Sequence, residues 1–204
     1  MISTRPISCV FLVVVIAVLA ACASAPTNFY TLQHSAAAPE QTTGAAPAFL
    51  IDVLPVAVPA QVDQLQLLVR QSEQRMAVLD NEHWAAPLAI ELRGALASDL
   101  VETLGTRDVH GMAHAQGTPI YRIQLDVRRF DSWPARHALI EADWSIRGEA
   151  ERTLAACTSS AMEDVEPGYD ALVQGHQRAI AHIAGDIATV LRSIFASAVP
   201  ACPR

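Results

Sequence analysis

The sequence predicts a single α+β domain, a mainly antiparallel sheet with two long helices packed on it. Three observations carry this. Tyr121, Ile123, Leu125 and Val127 alternate with polar residues, and so do Ala138, Ile140, Ala142, Trp144 and Ile146. Period two with one apolar face is the pattern of antiparallel strands covered on one side. Two other stretches, 88–104 and 172–194, repeat their apolar residues every three or four positions, as amphipathic helices do. Helix and sheet each have one apolar face to cover, which lays the helices on the sheet.

Taken in order, Asn28 to Leu32 is short and β-prone and reads as a first strand. Ser35 to Ala48 is rich in Ala, Pro, Thr and Gly, which fill no core, and reads as a flexible loop. Phe49 to Leu54 is almost continuously apolar, as a buried strand is, and Pro55 and Pro59 end it because neither can donate a ladder hydrogen bond. Leu65 to Arg70 and Arg75 to Leu79 suit a hairpin around 71–74.

Leu88, Leu92, Leu96, Leu100 and Leu104 form a stripe, widened by Ile90, Ala97 and Val101. This predicts a helix over 86–104, with Pro87 in its first turn and Gly105 as its stop. Trp84 is placed to pack over its start. The strands at 121–127 and 138–148 are expected to turn at Asp131-Ser132-Trp133-Pro134, and Glu149 to Cys157 to add a third strand. Gly168 opens the last helix, expected over 169–197, with Leu172, Ala179, Ile180, Ile183, Ile187, Val190, Leu191 and Ile194 on one face. The apolar face of the sheet is expected to be closed by the helices.

Chemistry is sparse. No phosphate-binding Gly-x-x-x-x-Gly-Lys-Ser/Thr run, Gly-x-Ser-x-Gly or His-Glu-x-x-His occurs. His110 and His114 are four apart, but with Gly111 between them they read as an exposed loop rather than a metal pair. His176 and His182 are six apart, on different helix faces. Glu141 and Asp143 share a polar strand face, where solvation explains them better than acid–base work. Arg128, Arg129 and Arg136 cluster near the 121–148 hairpin, as ordinary surface charge or as a partner or head-group contact. Trp133 stands beside Pro134 in the expected turn. It is either an exposed interaction tip or a side chain folded back on its own sheet.

The chain has 204 residues, 14 basic and 21 acidic side chains. No basic run exists to grip nucleic acid, which excludes that class of partner. Arg5 precedes an apolar run, Val10 to Ala20, and small residues follow it, as in a secretory signal. About a dozen continuously apolar residues fall short of the roughly 20 a spanning helix needs. Leu19-Ala20-Ala21-Cys22 resembles the lipobox of bacterial lipoproteins. That resemblance implies cleavage after residue 21, diacylglycerol on the Cys22 thiol and a further acyl chain, such as palmitate, on its amino group. Residues 22–27 would then be a tether and 28–204 the folded domain. Removing residues 1–21 of the 204 leaves 183, and losing Arg5 leaves 13 basic against 21 acidic side chains. In Gram-negative lipoproteins an Asp after the cysteine favours the inner membrane; Ala23 implies the outer membrane, facing the periplasm.

Cys9 would leave with the signal and Cys22 would carry lipid. Cys157 and Cys202 remain, in a compartment where disulfides persist, and two cysteines allow one pairing. The alternative is two buried free thiols. A bridge would close a loop of about 46 residues and stabilise the fold by roughly 4 kcal/mol on the chain-entropy model.

The order of pieces carries a wider resemblance. After the lipobox come Phe29-Tyr30-Thr31-Leu32 and a strand running into Val56-Ala57-Val58-Pro59. Leu67-Leu68-Val69-Arg70 follows, and then Trp84-Ala85-Ala86-Pro87-Leu88 opens a helix. This succession resembles the ABC-type transport auxiliary lipoproteins, the PqiC-like family, over most of the mature chain. The chain departs at Leu79-Asp80-Asn81-Glu82-His83, where such proteins often carry an Asn- or aromatic-rich segment. The resemblance implies a non-catalytic outer-membrane component of an MCE-type system that moves phospholipid between membranes. It also implies an MCE-domain periplasmic partner, self-association, and no cofactor beyond the covalent lipid. The competing expectation is a structural or assembly lipoprotein that binds other envelope proteins and has no lipid role.

Overall fold

A computed structural model describes residues 26–33, 47–113, 117–148, 151–197 and 199–203. Among them the elements run β1 (Asn28–Tyr30), β2 (Leu50–Val53), β3 (Gln66–Ser72), β4 (Arg75–Trp84), α1 (Leu88–Leu104), β5 (Ile120–Trp133), β6 (His137–Arg147), β7 (Thr153–Asp164) and α2 (Tyr169–Phe195). This is the α+β domain the periodicities predict, with one difference. The strands divide into two sheets, ordered β1-β4-β3 and β2-β5-β6-β7. Each sheet has one parallel pair, β1 with β4 and β2 with β5. Both β1 and β2 lead into long connections rather than tight turns, so nothing local forces them antiparallel.

The β5–β6–β7 meander is the strongest part of the sheet, and its inward residues follow the alternation. Ile123, Leu125, Ala138, Ile140, Ala142, Trp144 and Ile146 are all buried. The alternation breaks once. Val127 pairs with Ala142 and Arg129 with Glu141, which leaves Arg128 unmatched as a β-bulge. One inserted residue reverses the face that every later side chain takes. Phe130 and Ser132 therefore turn towards the core, while Asp131 and Trp133 turn away.

The strand also runs further than the alternation suggests. Trp133 is its last residue, and the turn begins at Pro134 rather than at Asp131. Likewise β4 extends through Asp80-Asn81-Glu82-His83 to Trp84, and β7 starts at Thr153 and reaches Asp164. The expected loop at 35–48 lies outside the described residues except for its last two positions.

Both helices cover the sheets from the inside. α1 begins at Leu88 with Pro87 just ahead of it and ends at Gly105, whose φ of 62° suits the left-handed stop. α2 packs on β6, β7 and α1. It ends at Phe195, two residues short of the expected boundary. Gly175 permits its close approach: a Cβ there would lie 2.3 Å from a Val165 methyl and 3.0 Å from the Ala138 methyl.

A polar relay crosses the same interface. Trp144 Nε1 donates to Ser159 Oγ at 2.9 Å, and that hydroxyl donates to Asp186 of α2 at 2.7 Å. Beyond α2 the chain returns to β7, where Cys202 is joined to Cys157 with Cα atoms 5.5 Å apart. This fastens the C-terminal segment to the sheet.

Candidate functional site

The described chain begins beside β1, and two buried or half-buried carboxylates fasten this stretch. Asn28 Nδ2 donates to both oxygens of Glu82, at 3.0 and 3.1 Å, and the Tyr30 hydroxyl donates to Glu82 at 2.6 Å. Burial, and then the hydrogen bond to Glu82, raise the Tyr30 phenol above its ordinary pKa, so it stays a donor. The Thr31 hydroxyl and the Leu32 N–H both donate to Glu91 Oε2 of α1, at 2.7 and 2.9 Å. Glu91 is 2% exposed and Leu32 is fully buried. The Tyr-Thr-Leu sequence thus serves attachment: a phenol, a hydroxyl and a backbone amide reach two acids, and a leucine plugs the core. Sequence reasoning missed Glu82 and Glu91, because an acid in a strand or on a helix looks like solvated charge until its partners arrive from 50 or more residues away.

Phe29, between these fastened residues, points the other way. It is 68% exposed, with its ring edge on His83 at 5.8 Å between centroids. Beside it an open hollow of about 370 Å³ lies between β1 and the first turns of α2, lined by Phe29, Tyr30, Asp170, Val173 and Gln177. Cys22, the expected lipidation site, lies outside the described residues.

The residues flagged in the 121–148 hairpin come apart. Trp133 is 6% exposed, and the Arg136 guanidinium sits 4.4 Å from its ring centre. It is folded back on its own sheet and offers no exposed tip. Arg129 is engaged: its Nε donates to Asp131 at 2.6 Å and its Nη1 to Glu141 at 3.4 Å. Arg70 donates to the other Asp131 oxygen at 2.8 Å. Asp131 is fully buried between the two guanidiniums, so Arg129 serves the fold. Arg128 on the bulge is more exposed than Arg129, 64% against 45%, and lies 3.8 Å from Asp143. Asp143 also accepts from the Thr158 hydroxyl at 2.7 Å. These residues belong to the solvent face of the β5–β6–β7 sheet, which bears a shallow hollow lined by Gln124, Asp126, Asp143, Ser145 and Thr158.

One serine–histidine contact has the look of chemistry. Ser132 Oγ and His176 Nε2 are 2.8 Å apart. Both are buried, His176 completely, and the imidazole stacks on Phe130 at 3.9 Å. Burial pushes His176 down to about 3, only partly opposed by the Asp131 charge, so the ring is neutral. Among the described residues its Nδ1 has no hydrogen-bond partner. A nucleophile's base is oriented by an acid on that nitrogen and opens onto a cleft; this pair has neither. His176 is thus a core side chain. His110 bonds to Asp52 at 2.8 Å, and Asp52 to Arg122 at 3.3 Å. His114 lies outside the described residues. Among the described residues no group of His, Cys, Asp or Glu is placed to hold a metal, and no helix is long and apolar enough to cross a membrane.

Comparison with solved structures supports the fold. An uncharacterised protein superposes with a TM-score of 0.64 at 18% identity, over 82% of this chain and 99% of its own. A Xanthomonas campestris protein of the DUF330 family gives 0.60 at 16% identity, over 85% of this chain and 97% of its own. No curated protein is significantly similar. A family model described as the ABC-type transport auxiliary lipoprotein component matches residues 30–188, from the fastened tyrosine nearly to the end of α2. The chain belongs to the ABC-type transport auxiliary lipoprotein family.

Proposed function

We propose that this protein is a non-catalytic accessory subunit of an MCE-type ABC transport system that moves phospholipid between the inner and outer membranes. Acyl groups on Cys22 hold it on the periplasmic face of the outer membrane. There it docks the MCE-domain protein, as a single copy or as a ring of copies, and exposed Arg128 is available to that contact. The observation that carries the reading is family membership over residues 30–188, within a family of auxiliary components of transport. The geometry is in keeping with it. The Ser132–His176 pair is sealed in the core, and what reaches solvent is surface for contact.

The reading is tested by isolating the lipidated protein from membranes under mild detergent. The expected result is co-isolation of an MCE-domain protein, with a permease and an ATPase behind it, and a weakened outer-membrane barrier when the gene is deleted. Isolation without any MCE partner, together with an intact barrier in the deletion strain, would sink it.

A further inference from the structure

We infer that the outer face of the β1–β4–β3 sheet rests on the lipid bilayer, with Phe29 entering the interfacial layer. This rests on the acylation of Cys22 proposed above. Three exposed large apolar side chains come from this small sheet or its immediate flank: Phe29 at 68%, Leu65 at 48% and Val78 at 48%. Their direction follows from the strand pairing. Trp84 faces the core, so its neighbour His83 faces out, and Phe29 is paired with His83. Ala77 and Leu79 pack against buried Val69 and its neighbours, so Val78 between them faces away. Leu65 lies at the same end, its carbonyl accepting from Trp84 N–H at 2.7 Å. Phe29 and Val78 on one face, with exposed Leu65 at the edge of the sheet, mark an interaction surface rather than chance exposure.

Chain length selects the occupant. Cys22 and Phe29 are seven residues apart. Fully extended, that spans at most about 24 Å. The bilayer holding the acyl chains is therefore always within reach of this face. The patch, on the order of a few hundred Å², is well short of the roughly 800 Å² per partner that a stable protein interface buries. A surface already tethered beside its target needs little affinity of its own, because the tether sets a high effective concentration. Charge narrows the lipid. Asp80 is exposed two residues along the strand from Val78, and the chain beyond residue 21 carries 13 basic against 21 acidic side chains. Such a surface suits zwitterionic head groups and is repelled by anionic ones.

The test uses the full lipidated protein, purified from membranes and reconstituted into phosphatidylethanolamine–phosphatidylcholine vesicles. Phe29→Cys, Val78→Cys and, as a control far along α2, Thr189→Cys each receive a nitrobenzoxadiazole label. Lipids carrying a nitroxide near the head group are expected to quench labels 29 and 78 at least twofold and to leave 189 unchanged. Replacing a third of the lipid with phosphatidylglycerol is expected to lessen that quenching. Absence of quenching at 29 and 78 in protein whose mass shows acyl groups on Cys22 overturns the contact and leaves the anchor standing. Shielding of these labels that instead grows with protein concentration assigns the face to a second copy and also overturns it. Protein lacking acyl groups on Cys22 overturns the anchor itself, and the contact with it.

Discussion

The surface between α2 and the β5–β6–β7 sheet and the surface of the β1–β4–β3 sheet differ in what they leave to solvent. Under α2, Ile140, Ala142, Ile146, Ile180, Ile183 and Ile187 are wholly buried, and a hydroxyl relay satisfies the Trp144 ring. On the small sheet, Phe29 and Val78 stay in water, and attachment comes from two carboxylates. Apolar burial is non-directional and grows with area, whereas hydrogen bonds to a carboxylate fix position over a few ångströms. The first region supplies stability. The second positions a short strand while freeing its outward side chains for something else.

Three changes test that contrast, and the largest effect belongs to the buried side. Ile140→Ala should lower unfolding free energy by about 3–4 kcal/mol in urea titration, from lost transfer energy and the cavity left behind. A loss below about 1 kcal/mol would mean that the inner face is looser than its burial indicates.

The next effect is one of pH. The folded-state pKa of His176, about 3, lies below the 6.5 of an unfolded histidine. Its neutral burial therefore contributes fully above pH 6.5, and the contribution is lost as pH falls towards 3, because the unfolded chain takes up the proton first. Between pH 7 and pH 5 this group alone should cost about 2 kcal/mol. His176→Gln, which keeps a hydrogen-bonding group near Ser132, should show a correspondingly flatter stability profile over that range. Identical slopes for the two proteins would remove the histidine from the account.

The smallest effect sharpens the contrast from the other side. Phe29→Ser should change unfolding free energy by no more than about 0.5 kcal/mol, as expected for a side chain that is mostly in water. A loss above about 1.5 kcal/mol would make Phe29 part of the core and blur the distinction between the regions.

The sequence showed one of these regions more clearly than the other. The alternation at 121–127 and 138–146 and the leucine stripe of α1 are local patterns, and burial follows them residue by residue. The bulge at Arg128 has no such signature. An arginine there looks like any outward residue, and without the bulge the alternation places Trp133 wrongly and ends the strand early. The strand expected to end at Leu79 runs on through a polar stretch, whose end, Glu82 to Trp84, pairs with β1 more than 50 residues earlier. Cysteine arithmetic identified Cys157 and Cys202, since only one pair remained. His176 was opaque for a different reason. A lone histidine on a helix gives no local sign of burial, and Ser132 and Phe130, which meet it in the fold, lie more than 40 residues away in sequence.

The carboxylate fastening of β1 also decides how the molecule takes a mechanical load. Tension on the polypeptide ahead of Pro26 reaches the folded body through Asn28 to Leu32. Glu82 transmits it to a strand held on both sides by neighbours, and Glu91 to the first turn of a helix that is itself wedged against α2. The grip is shared between two separate elements, with the Leu32 plug buried behind them. A tug on the leash would move the whole body before it peeled the first strand.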